Sequence, residues 1–367
     1  MTRLNQLNEL GQAVWFDYIR RSFTRSGDLQ ALIDQGVRGV TSNPAIFEKA
    51  IASSDDYDED IRRLAGENKS VNDIYEALAI EDIRQAADLL RPLYDRTDGR
   101  DGYVSLEVSP ALAQDTAGTV AEARRLFAVT DRPNLMIKIP ATPAGIPAIT
   151  TVIADGINVN VTLIFSLVQY EAAATAYIDG LEKRLEAGGK LTQTASVASF
   201  FVSRVDTAVD DALEKIDRSD LQGTTAIDNA RLAYARFREI FAGDRWDRLA
   251  AAGARVQRPL WASTGTKNPT YSDTLYVDHL IGPGTVNTLP PATLKAFIDH
   301  GRASVTIDKD VAAARSRIAA LADIGISLET ITKQLLDQGV AAFAKPFENL
   351  MRSLEEKKDR LAGSGKA

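Results

Sequence analysis

The sequence predicts an α/β protein: a (β/α)8 TIM barrel with extra helices in the crossover after the second strand and at the C-terminus. Three observations lead there. Short apolar runs alternate with longer helical patterns, the signature of parallel strands joined by helices. Eight such runs can be found along the 367 residues. Several of them carry polar residues on one face only, which suits a sheet closed around a lumen.

In chain order, the strands are expected at residues 13–18, 37–42, 103–108, 135–139, 157–163, 193–199, 259–264 and 284–289, with 304–307 competing for the first or the last place. Residues 46–99 are too long for one crossover helix and should hold two or three, one of them over 71–94. Ser166, with Gln169 three positions on, has the spacing of a capping box, and the helix it opens runs to 187, before Gly188 and Gly189. Further helices are expected at 205–216, 311–321 and 328–356, followed by a loose tail of Gly363, Ser364, Gly365 and Lys366. Length alone allows two to three domains at about 150 residues each. No fixed-period repeat, low-complexity block or linker divides the chain, so one domain over 1–367 is expected, with 310–360 as a C-terminal helical extension.

Composition narrows the chemistry. The chain is 45% hydrophobic and 25% charged, with a formal net charge of −7. These values suit a globular protein and give no overall electrostatic case for nucleic acid or an anionic membrane. There is no cysteine, which excludes disulfides, thiolate nucleophiles and thiolate metal sites. His279 and His300 are the only histidines, too few for histidine-rich metal sites. No complete dinucleotide or phosphate-loop glycine motif occurs, so neither cofactor nor metal is expected. Residues 1–15 are polar and no run of about 20 apolar residues is present, so a cytoplasmic protein is expected.

The strand alternation is the most informative feature. In residues 104–109, Val104, Leu106 and Val108 share one face, and Ser105, Glu107 and Ser109 the other. Asn158, Asn160 and Thr162 lie opposite Val159, Val161 and Leu163, and Lys138 stands alone opposite an aliphatic stripe. A sheet covered by helices on both faces would read as continuous aliphatic residues. In a barrel, by contrast, the polar face lines the lumen, and catalytic groups sit at the C-terminal ends of the strands. A half-exposed sheet is the alternative, weakened because three helix-flanked strands share the pattern. A lysine in a dry lumen is a chemical signal: burial disfavours an ammonium whose free pKa is about 10.4. The neutral amine can add to a ketone and form a Schiff base. Glu107 is the natural acid/base partner, with a water held on Thr162 as a relay, and Asn160 can hold substrate hydroxyls.

At these residues the chain resembles the transaldolases, in their longer bacterial form. The resemblance rests on several motifs in order: Trp15-Phe16-Asp17, Gly39-Val40-Thr41-Ser42-Asn43-Pro44, Val104 to Val108, Asn134 to Pro140, Asn160 to Ser166 and Ser199 to Arg204. It implies that Lys138 forms the Schiff base and that Glu107 and Thr162 hold the catalytic water. It also implies that Asp17 takes the substrate hydroxyl proton, that Asn43, Asn160 and Ser199 bind the dihydroxyacetone unit, and that Arg204 binds phosphate. Where many members place a second arginine, this chain offers Lys267, a point charge without the bidentate fork. The stretch 271–289 also departs from the shorter members.

Each residue also has a plainer reading. Asp17 can be a helix cap, Asn43 can cap the helix after Pro44, and Ser199 can be a packed small residue. Arg204 can form a surface ion pair and Lys267 can be a loop lysine. The implied partners are sugar phosphates, with monomer and homodimer both open. A fructose-6-phosphate aldolase and a silent sugar-phosphate-binding barrel are the rival functions. Length and Glu107 favour transfer over aldol cleavage, since the aldolases are shorter and carry a tyrosine at that position.

Overall fold

The computed structural model describes residues 2–363. Eight strands, all parallel, form a barrel closed in sequence order: β1 (Gln12–Phe16), β2 (Val37–Thr41), β3 (Tyr103–Glu107), β4 (Leu135–Pro140), β5 (Val159–Ile164), β6 (Ser196–Phe201), β7 (Arg258–Ala262) and β8 (Thr285–Leu289). Each of the eight expected strands is present within a few residues. β1 and β8 pair through Gln12 with Thr285 to Phe16 with Leu289, which closes the barrel. Residues 304–307 form no strand; Thr306 instead ties back by its backbone N–H to the Ile281 carbonyl and by its hydroxyl to that of Asp278.

Outward-facing aliphatics such as Val104, Leu106, Ile137, Val159 and Val161 pack into the core between strands and helices. At the N-terminal ends of the strands, polar side chains close the lumen against one another. Gln12 donates to the Leu280 carbonyl and the Thr285 hydroxyl, and Gln257 to the Ser196 hydroxyl. Gly39 is required by close approach, because a Cβ there would stand 2.7 Å from the Trp15 ring.

The crossover after β2 holds three helices, Pro44–Ala52, Asp58–Gly66 and Val71–Arg96. Buried Arg21 anchors them. Its Nε donates to Asp82 at 2.8 Å, and Asp82 also accepts from the Tyr57 hydroxyl. The helix Leu167–Glu186 begins in the expected capping box of Ser166 and Gln169. The expected helix at 205–216 lies two residues earlier, at Ser203–Glu214. After Val311–Asp323, a 36-residue helix, Leu328–Gly363, packs on β5, on the turn at 110–112 and on the helices at 44–52 and 203–214. It therefore crosses the C-terminal end of the barrel. It runs past its expected end at 356 and takes in Gly363, which the sequence had suggested for the tail; 364–366 lie outside the described residues. Among the described residues, no helix is long and apolar enough to cross a membrane.

Candidate active site

The strand register brings the polar residues together. Glu107 on β3 pairs with Lys138 on β4, Lys138 with Asn160 on β5, and Pro140 with Thr162. Because every strand runs the same way, these residues gather at the C-terminal mouth. Lys138 is 5% exposed; its ammonium stands 3.8 Å from Glu107 Oε2 and donates to the Ser42 carbonyl at 3.3 Å. Burial pushes the Glu107 carboxyl up to about 7, with Lys138 pulling it down and Asp17 pushing it further up.

Asp17 follows the last residue of β1. Its backbone N–H donates to the Leu289 carbonyl, which fixes it at the rim, and its carboxylate accepts from Thr41 Oγ1 at 2.6 Å. Burial raises its pKa, opposed by the Lys138 charge and by the Thr41 bond. Among the described residues, two buried side-chain oxygens near the lysine find no hydrogen-bond partner: Glu107 Oε2 and Thr162 Oγ1. The β5–β6 register shifts between Val161 and Ile164, and Leu163 there adopts a left-handed φ of 60°. Thr162 and Leu163 lie within that irregularity.

Asp17, Asn43, Lys138, Thr162, Ser199, Arg204 and Lys267 all line one cavity of about 170 Å³. Asn43 does cap the helix Pro44–Ala52, accepting from the Ile46 N–H at 3.0 Å, while still facing the cavity. Asn160 sits beneath the cavity floor. Its amide donates to Ser105 Oγ at 3.0 Å and its carbonyl oxygen accepts from Ser199 Oγ at 2.6 Å. Arg204, the second residue of its helix, has no carboxylate partner among the described residues, and its guanidinium lies 5.6 Å from the Phe201 ring. Burial lowers its pKa. Exposed Lys267, in the loop after β7, likewise has no ion-pair partner among the described residues. Two cations without an ion-pair partner among the described residues therefore line the cavity.

Among the cavity residues that the sequence did not single out are Thr41, Thr288, Ser263 and Phe343. Thr41 and Thr288 join their hydroxyls at 2.8 Å beside Asp17; each shares its strand face with a valine, Val37 or Val286, so alternation does not mark it. Ser263, at a left-handed φ of 56°, bonds its hydroxyl to that of Ser203 and links the loop of Lys267 to the helix of Arg204. Phe343 arrives on the C-terminal helix, and no local pattern marks it.

A parallel barrel with a buried lysine and facing carboxylates at its C-terminal mouth has the arrangement that Schiff-base chemistry on a lysine requires. The comparisons narrow it. The model of the transaldolase/fructose-6-phosphate aldolase family matches residues 14–354, and the chain belongs to that family. It is 54% identical to a transaldolase of Thermobifida fusca (strain YX) over 95% of this chain and 96% of that one. It is 47% identical to a transaldolase of Trichodesmium erythraeum (strain IMS101), with 98% of each covered. Against transaldolase 1 of Streptomyces avermitilis it is 50% identical, with 96% and 94% covered.

Proposed function

We propose that the chain acts as a transaldolase, a transferase that moves a dihydroxyacetone unit from a ketose phosphate to an aldose phosphate through a Schiff base on Lys138. The observation that carries this reading is the pairing of buried Lys138 with Glu107 at 3.8 Å, with Asp17 on the same cavity as the lysine. The near-full-length likeness to proteins named transaldolase supports it. The overall reaction converts sedoheptulose 7-phosphate and glyceraldehyde 3-phosphate to erythrose 4-phosphate and fructose 6-phosphate, and the reverse.

The amine of Lys138 adds to the donor ketone, and the carbinolamine loses water to give an iminium. Glu107 exchanges the protons of this step through a water held between its carboxylate and Thr162 Oγ1. Asp17 then takes the proton of the donor hydroxyl. The adjacent carbon–carbon bond breaks, an aldose phosphate leaves, and the electron pair moves into the imine to form an enamine. The enamine adds to the incoming aldehyde, Asp17 returns the proton, and hydrolysis frees the new ketose and the lysine. Asn43 and Ser199 hold the dihydroxyacetone hydroxyls, and Asn160 keeps Ser199 in place. Arg204 and Lys267 hold the phosphate, helped by the positive end of the helix that starts at Ser203.

A paired assay tests the reading: fructose 6-phosphate with and without erythrose 4-phosphate. Sedoheptulose 7-phosphate and glyceraldehyde 3-phosphate that form only with the acceptor support it. Free dihydroxyacetone at a comparable rate without acceptor would make the chain an aldolase.

A further inference from the structure

The helix Leu328–Gly363 is built into the mouth of the barrel. Phe343 is 8% exposed; its ring centre lies 5.6 Å from Lys138 Nζ, and the same ring lines the cavity shared by Asp17, Thr162, Ser199 and Arg204. It also borders a small void beside Glu107. One turn earlier, Gly339 lets the helix approach closely: a Cβ there would stand 2.9 Å from the side chain of Leu163, the left-handed residue next to Thr162. Farther along, buried Lys357 pairs with Asp58 at 2.6 Å and donates to the Ile51 and Ser54 carbonyls. The helix is thus fixed at its far end and seated at its middle on the strand that carries Thr162.

We propose that Phe343 is a specificity-determining residue that shields the enamine on Lys138 from bulk water and so favours transfer over hydrolytic release. This rests on the transaldolase reading above. After the first aldose phosphate leaves, the enamine has two fates. It adds to an aldehyde, or it takes a proton from solvent at carbon. In the second case water adds to the resulting iminium, the carbon–nitrogen bond breaks, and free dihydroxyacetone departs from the regenerated amine. An aromatic ring over the nitrogen removes first-shell water without adding a hydrogen-bonding group, and it covers a cation favourably.

The experiment compares the parent with Phe343→Ala and Phe343→Leu. It measures dihydroxyacetone released per sedoheptulose 7-phosphate formed, with fructose 6-phosphate and erythrose 4-phosphate supplied. Leu350→Ala, two turns on in the same helix and fully buried, serves as a packing control. The Ala variant should raise the ratio about tenfold, equivalent to about 1.4 kcal/mol between the two fates. The Leu variant should raise it less, and Leu350→Ala should lower the melting temperature while keeping the parental ratio. If the parent transfers but Phe343→Ala keeps its ratio, or keeps it in Phe343→Leu where the Ala variant does not fold, the proposal is overturned. A parent without acceptor-dependent turnover would instead remove the reading beneath it.

Discussion

Glu107 and Lys138 sit in register on adjacent parallel strands, their charged ends 3.8 Å apart and both side chains 7% exposed. Desolvation and attraction oppose one another here. Burial raises the carboxyl, the ammonium lowers it, and burial wins, leaving Glu107 at about 7. At neutral pH both protonation states are therefore populated, as a group that gives and takes protons in one cycle requires.

The sign of the pH dependence follows. In the proposed mechanism the carboxylate accepts protons when the amine adds, so kcat/KM should rise from the acid side through an inflection near pH 7. Glu107→Gln should lose that inflection and about 100-fold or more in kcat. A pH–rate profile of both proteins checks this, and an inflection surviving in the variant would assign it elsewhere.

The two cations that line the cavity predict a division of labour. Arg204→Ala should raise KM for fructose 6-phosphate about 10- to 100-fold, the scale of losing a hydrogen bond to a charged group. Lys267 is exposed, so Lys267→Ala should raise it less, and Lys267→Arg should keep or tighten binding through its fork. Unphosphorylated fructose should distinguish the variants from the parent poorly.

The loop of Lys267 is tied to the helix of Arg204 by two tyrosines. Tyr276 donates to Asp206 at 2.9 Å and Tyr271 to Asp210 at 2.7 Å. Burial pushes Asp206 up to about 7, with the neighbouring Asp210 and Asp228 adding to the rise. A folded-state pKa above the unfolded value stabilises fully below the unfolded pKa of about 3.9, and that stability is lost as pH rises through 7. Asp206→Asn, which cannot ionise, should therefore gain in melting temperature relative to the parent between pH 5 and pH 8. A difference flat across that window would contradict the assignment.

In the crossover, Arg21 and Asp82 form a buried pair, 1% and 0% exposed. Arg21→Leu leaves Asp82 with a charge and only the Tyr57 bond. It should cost about 3–5 kcal/mol in denaturant unfolding, whereas a typical surface pair costs less than about 1.

Much of this was legible because β-strands repeat every two residues. Glu107, Lys138, Asn160 and Thr162 interrupt aliphatic strands on one face, and parallel strands necessarily collect such residues at one end. Asp17, Asn43 and Arg204 lie past strand ends or on a helix, where no period marks them, and only the family resemblance pointed to them. The place of Asn160 beneath the cavity floor, bonded to Ser105 and Ser199, depends on barrel stagger that no single strand reveals. Phe343 was invisible for a further reason. It reaches Lys138 from about 200 positions away, on a helix whose apolar face looks in sequence like ordinary packing.

The most direct test of the account is borohydride reduction of the protein in the presence of fructose 6-phosphate, followed by peptide mass mapping. The account predicts one stable dihydroxyacetone adduct, on the peptide that contains Lys138, and none in Lys138→Ala. An adduct on another lysine, or ketose-dependent labelling that persists in Lys138→Ala, would contradict it.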